Sequence, residues 1–276
     1  PAGWPGSDPR LVASAFLCAS RRLGSVVPTR ARLYVARAVG VGMAKRHQTI
    51  VGVDGCAGGW VVATSDASLS QIEFTVVRNM RDVVDIADQR VVAIDIPIGL
   101  PSGGSRSCDL AARRILGSGQ GGRVFPAPSR PSLEGNGYKE CCDLNRQASG
   151  VAISKQAHAL VPKIIEVDRL MTPELQHYVR EVHPEVSFCV INGGPLEYTK
   201  KSKVGQEERL TILARQGVTF DPVAERRRLG ASQVAVDDLL DAAVALLTAR
   251  RVHEGVVSVL GDGTVDARGL RMEIVA

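Results

Sequence analysis

The chain reads as an α/β protein built on a mixed β-sheet, and three observations predict it. Residues 49–54 and 90–96 each contain an apolar run without alternation, Ile50-Val51-Gly52-Val53 and Val91-Val92-Ala93-Ile94. That pattern suits strands buried on both faces. After the first run come two more strand-like segments, 60–64 and 71–77, joined by short links as in an antiparallel meander. The second run follows a helical segment, so its strand is expected to lie parallel to the first.

Each apolar run ends in a carboxylate, Asp54 or Asp95. The stretch Asp54-Gly55 opens a glycine-rich turn, and Asp95 is followed by Ile-Pro-Ile-Gly. Asn79 can cap a short helix that ends near Ala87. Ser105 or Ser107 can cap another that reaches about Leu116. Residues 117–137 are rich in Gly, Pro and Ser and are expected to be irregular. A loop of this length within a compact domain is usually functional or disordered. Helical patterning returns over 138–148 and 154–171, and Thr172-Pro173-Glu174 starts a short helix. Residues 105–178 therefore read as a mostly helical insertion. A fifth strand is expected over 178–183, a helix from Pro184 to Ile191, and another around 207–216. Ser232 or Asp237 is expected to cap the last long helix, which ends near Val252, and a strand pair is expected within 256–275.

Composition narrows the functional classes. The chain has 276 residues, 45% apolar and 23% charged, which suits a packed globule. Aromatic residues make up only 4%, so the core is aliphatic and rows of base-stacking aromatics are not expected. The net charge of +5 resides in residues 1–42, which carry six Arg and a single acid, Asp8. Residues 43–276 carry 28 basic and 28 acidic side chains, so any nucleic-acid contact must come from a local patch. Six Cys occur without a Cys-x-x-Cys pair, as expected of reduced thiols in a cytoplasmic protein. No run of 18 apolar residues is present, so no membrane span is expected. Residues 1–42 have the composition of an organelle transit peptide. The alternative is an upstream extension, with Met43-Ala44-Lys45 as the beginning of the protein. On either reading they are expected to be disordered and to lie outside a domain spanning 43–276.

Acids recur at element ends: Asp54, Asp95, Glu181 with Glu185, and Asp237-Asp238 with Asp241. Asp238 and Asp241 are three apart and share a helical face. The small residues after Asp241 allow that helix to approach a sheet. Three or four carboxylates gathered there would hold Mg²⁺ or Mn²⁺ through oxygen. Two ions about 4 Å apart would serve phosphodiester hydrolysis. Plainer explanations exist for most of these acids: a helix N-terminus favours Asp237, Asp238 and Glu185, and Asp54-Gly55 is a common turn. Asp95, flanked by isoleucines, is the hardest to explain without a partner. His183 is the only His beside these acids. Arg123, Gln156, Lys163, Lys200 and Lys201 are candidate substrate-phosphate contacts, each of which can also be read as a solvated side chain.

The chain resembles the family called domain of unknown function 429, described as predicted ribonuclease H-like nucleases. The resemblance rests on Val-Gly-Val-Asp-Gly-Cys-Ala-Gly-Gly-Trp at 51–60, Ala-Ile-Asp-Ile-Pro-Ile-Gly-Leu-Pro at 93–101 and Val-Phe-Pro-Ala-Pro at 124–128. It rests equally on Lys-Ile-Ile-Glu-Val-Asp at 163–168, Glu-Val-His-Pro-Glu-Val-Ser-Phe at 181–188 and Asp-Asp-Leu-Leu-Asp-Ala at 237–242. The resemblance implies a ribonuclease H-like five-stranded sheet of order 3-2-1-4-5 with flanking helices. More distantly the chain is similar to the Holliday-junction resolvase branch of that fold. By matching position, Asp54, Asp95, Asp238 and Asp241 are then the catalytic metal ligands, with Glu181 as a further catalytic candidate. Gly121-Gly122-Arg123 departs from the Ser-rich stretch expected in the family. The function expected is metal-dependent nuclease or phosphodiesterase. The alternatives are an actin- or sugar-kinase-like phosphotransferase using Asp54-Gly55-x-x-Gly58-Gly59 as a phosphate hairpin, and a non-catalytic ribonuclease H-like module.

Overall fold

The computed structural model describes residues 49–276, except 88, 89 and 118. The expected N-terminal extension and Cys18 lie outside the described residues. Strands β1 (Thr49–Cys56), β2 (Gly59–Asp66) and β3 (Glu73–Val77) form an antiparallel meander. Helix α1 (Met80–Ala87) leads into β4 (Val91–Ile94), which pairs parallel to β1 with Val53 opposite Ile94. Strand β5 (Val179–Glu181) adds parallel to β4, completing a mixed sheet of order β3-β2-β1-β4-β5. Asn79 caps α1 as its sequence predicts, its side-chain oxygen accepting from Asp82 N at 3.1 Å.

Between β4 and β5 run helices α2 (Ser107–Leu116), α3 (Tyr138–Ser149) and α4 (Lys155–Leu170). Among its described residues, the loop over 117–137 holds two short 3-10 turns, Gly121–Arg123 and Arg130–Glu134. Ser154 caps α4 through Ala157 N at 3.0 Å. This segment is more than an appendage. Ile164 and Val167 of α4 pack with Val51, Val53, Val92 and Ile94, and Met80 and Val83 of α1 join them, so α4 and α1 share the cover of one face of the sheet.

The other face is covered from the C-terminal part of the chain. Here lie α5 (Pro184–Asn192), α6 (Lys203–Arg215), α7 (Pro222–Leu229) and α8 (Val236–Glu254), followed by the strand pair β6 (Val259–Leu260) and β7 (Ile274–Val275). Residues Leu239–Ala249 of α8 are buried almost all round, as expected of a helix sandwiched between a sheet and other helices. Ile50, Val61 and Ala63 meet Leu239 to Leu247 in that layer.

One glycine sets how close α8 comes. A Cβ on Gly52 would stand 2.1 Å from Leu246 N and 2.2 Å from Ala242 O. The α8 backbone therefore lies directly on β1, a spacing no other residue at 52 permits. Neither Ser232 nor Asp237 caps α8. The N-cap is Ala235, whose N–H donates to Asp238 Oδ2 at 2.8 Å, so the helix is closed from within by its own third residue. No helix among the described residues is long and apolar enough to cross a membrane.

Candidate functional site

Strand alternation carries Gly52 and Asp54 to the α8 face, and likewise Ala93 and Asp95. The Asp95 N–H donates to Val53 O at 3.0 Å, so the two Asp residues stand side by side where the parallel strands end. On α8, Asp241 immediately precedes Ala242, which rests over Gly52, and Asp238 lies one turn earlier. Three separate elements thus deliver Asp54, Asp95, Asp238 and Asp241 to one cavity of about 690 Å³. Asp54 and Asp241 are buried and Asp95 is half-buried.

Burial and mutual repulsion raise the carboxyl pKa of all four. Burial raises Asp54, and Asp95 and Asp241 raise it further. Burial, then the Asp241 charge, pushes Asp95 up to about 8. Burial lifts Asp241 to about 6, against the pull of Lys200. Asp238 is raised by burial, opposed by its hydrogen bond from Ala235. The cation that relieves this cluster is Lys200, whose Nζ donates to Asp241 Oδ2 at 2.5 Å. Burial disfavours the Lys200 charge, but Asp241, Asp54 and Asp95 outweigh it and hold the ammonium form.

The other expected side chains divide by placement. Arg123, Lys163 and Lys201 line the cavity with Lys200, whereas Gln156 is exposed on the first turn of α4 and does not line it. Lys163 bonds Gly59 O and lies 4.3 Å from the Trp60 ring centroid, so its ammonium is partly engaged. Arg123 reaches Glu185 at 2.5 Å, and Glu185 is also held by buried Arg209 at 2.6 Å. The loop carrying Arg123 is thereby tied to α5 and α6.

Glu181 differs from the four Asp residues. Alternation along β5 turns it toward the α4 face with Val179, while Val182 joins the α8 face. Its Oε1 accepts from Arg106 Nη2 at 2.7 Å. Its Oε2 accepts from Arg106 Nη1 at 2.7 Å and from Ile98 N at 2.6 Å. Asp109 completes a buried Arg106-centred triad. Both Glu181 oxygens are thus engaged, by Arg106 and by the Ile98 N–H. The hairpin proposed to grip a phosphate is committed too: Gly58 N–H donates to Gln233 O at 2.8 Å. A Cβ on Gly59, at φ +128°, would meet Val77 O at 2.2 Å.

Sequence reasoning assigned no role to His183, Phe125 or Leu160, all of which line the cavity. His183 Nδ1 is buried without a hydrogen-bond partner, and burial holds the ring neutral. The His-Pro pair at the start of α5 was the available signal for it. No local sequence signal marked the two apolar side chains.

Asp241 Oδ1 is likewise buried without a partner. An all-carboxylate oxygen set with an unused buried oxygen fits a hard divalent cation in donor chemistry. Among the described residues no three His, Cys, Asp or Glu side chains are drawn together at metal-holding spacing. All five described cysteines, at 56, 108, 141, 142 and 189, are free and buried.

Fold and site together define a mixed α/β protein with a carboxylate cavity at the ends of its central strands. The chain belongs to the family described as protein of unknown function DUF429, whose profile matches residues 52–264. No match was found among curated proteins or among solved structures.

Proposed function

We propose that this chain is a metal-dependent phosphodiesterase, a nuclease of ribonuclease H-like fold. The observation that carries the reading is the convergence of Asp54, Asp95 and Asp241 from three elements onto one cavity, each with a raised carboxyl pKa. The strand order β3-β2-β1-β4-β5 supports the fold assignment. Asp54, Asp95, Asp238 and Asp241 would hold Mg²⁺ or Mn²⁺ through carboxylate oxygens. When bound, the metal supplies Lewis acidity toward a water and a phosphoryl oxygen, in the manner of two-metal hydrolysis.

The chain's own side chains do the rest. Before a metal enters, Lys200 neutralises Asp241 and holds it in place. Asp238 lines the cavity with one oxygen held by the Ala235 N–H, which fixes the side chain. Lys201 and Lys163 face substrate phosphate from the rim. The oxygen of water bonds to phosphorus as the ester P–O bond breaks. Solvent takes the proton that the attacking water loses, and the leaving oxygen takes one from solvent.

The test is cleavage of a phosphodiester panel in Mn²⁺, with Asp95→Asn and a chelator control. Loss of cleavage in both is expected, and activity that survives both contradicts the reading. The Lys200–Asp241 pair favours one second reading, a non-catalytic module whose carboxylates are neutralised internally. Equilibrium Mn²⁺ binding separates the two.

A further inference from the structure

We infer that the cavity takes one nucleotide-sized unit, a phosphate ester bearing a planar base, and does not seat a double helix. This rests on the phosphodiesterase reading above and adds its substrate class. Three observations lead to it.

The first is size. At about 690 Å³ the cavity falls in the range of roughly 300–1,000 Å³ that encloses small ligands. A duplex interface instead spreads over about 1,000–2,500 Å² of strongly positive surface.

The second is charge. Seven carboxylates line the cavity against four Lys or Arg side chains. Arg123 and Lys200 are already paired with Glu185 and Asp241, and Lys163 leans on Gly59 O and Trp60. Lys201 is the exposed lining cation outside any ion pair among the described residues. Nothing here forms the row of free cations that tracks successive phosphates along a polyanion. With a divalent cation among the carboxylates and Lys201 exposed beside them, the site could offset one or two phosphates and no more.

The third is the apolar part of the lining. Phe125 is 42% exposed and Leu160 39% exposed, and both line the cavity beside buried Val124. No ring pairs with Phe125 among the described residues. Large apolar side chains left open beside a charged floor match a ligand with a flat apolar end and an anionic end. A base stacked on Phe125 provides that end and needs no particular base identity.

The experiment uses the full chain. Mn²⁺ binding is measured first by electron paramagnetic resonance on wild type, Phe125→Ala and Phe125→Trp. Calorimetry in Mn²⁺ then compares adenosine 5′-monophosphate, ribose 5-phosphate and a short DNA duplex. Equal Mn²⁺ binding in all three proteins is expected. The nucleotide should bind the wild type roughly tenfold or more tightly than ribose 5-phosphate, and Phe125→Ala should erase that ratio while Phe125→Trp keeps it. If Mn²⁺ binds but the duplex outcompetes the nucleotide, or Phe125→Ala leaves the ratio unchanged, the substrate class is wrong and the phosphodiesterase reading stands. If Mn²⁺ does not bind and no phosphodiester is cleaved, both fall.

Discussion

Gly52→Ala tests how the carboxylates are brought together without touching any of them. The added methyl would sit 2.1 Å from Leu246 N, where ordinary contact begins at 3.4 Å, so β1 and α8 must separate locally by about 1.3 Å. The atoms it meets, Leu246 N and Ala242 O, are helix backbone, which cannot swing aside. Overpacking in a core costs about 1–3 kcal/mol and occasionally more, and rigid backbone on the far side puts this site at the upper end. For a domain of this size about 3 kcal/mol lowers Tm by roughly 6–12 °C. The displacement also carries Asp238 and Asp241 away from Asp54 and Asp95. A misplacement of about 1 Å in a catalytic constellation can cost about 100-fold in rate. Urea unfolding and Mn²⁺ titration on the same sample separate the two effects. A Gly52→Ala protein with wild-type stability and wild-type Mn²⁺ affinity would refute the close-approach reasoning.

Further predictions concern the charges. Burial raises Asp95 to about 8, Glu181 to about 7 and Asp241 to about 6. Each binds its proton more tightly folded than unfolded, where carboxylates titrate near about 4. The metal-free protein should therefore lose stability as pH rises from about 5 to about 8, and Mn²⁺ should bind more tightly across the same rise. Thermal melts at both pH values, with and without Mn²⁺, check both signs. Lys200→Ala leaves the buried Asp241 charge uncompensated, so Tm in chelator should drop and added Mn²⁺ should restore it; a variant insensitive to Mn²⁺ contradicts this. Arg106→Ala strands Glu181 and Asp109 together in the interior and should cost about 3–5 kcal/mol in a denaturant titration. Glu181→Gln should keep Mn²⁺ affinity near wild type where Asp95→Asn loses it, since both Glu181 oxygens already serve Arg106 and Ile98.

The strands that carry the site were legible because burial on two faces forces unbroken apolar runs. Asp95 was conspicuous because an anion in such a run needs a reason. Pairing partners were harder to read. Glu181 and Asp95 look alike in sequence, each at a strand end, and only β5 register and Arg106, 75 residues upstream, set them apart. Lys200 read as one lysine among several in a polar loop, and its contact with Asp241 spans 41 residues of chain. Helix α7 was not predicted, although Asp221 caps it and Pro222 opens it, because Val-Ala-Glu-Arg-Arg-Arg-Leu carries no apolar stripe of helical period. Gly52 read as one small residue in a strand, since close approach of a helix leaves no local trace.

The measurement that bears most directly on the shared-cavity claim is anomalous diffraction from a crystal soaked in Mn²⁺. Manganese density bounded by Asp54, Asp95 and Asp241, with the Lys200 ammonium displaced from Asp241, is the expected result. Manganese bound elsewhere on the surface, or none at all with the Lys200–Asp241 contact intact, would contradict the account.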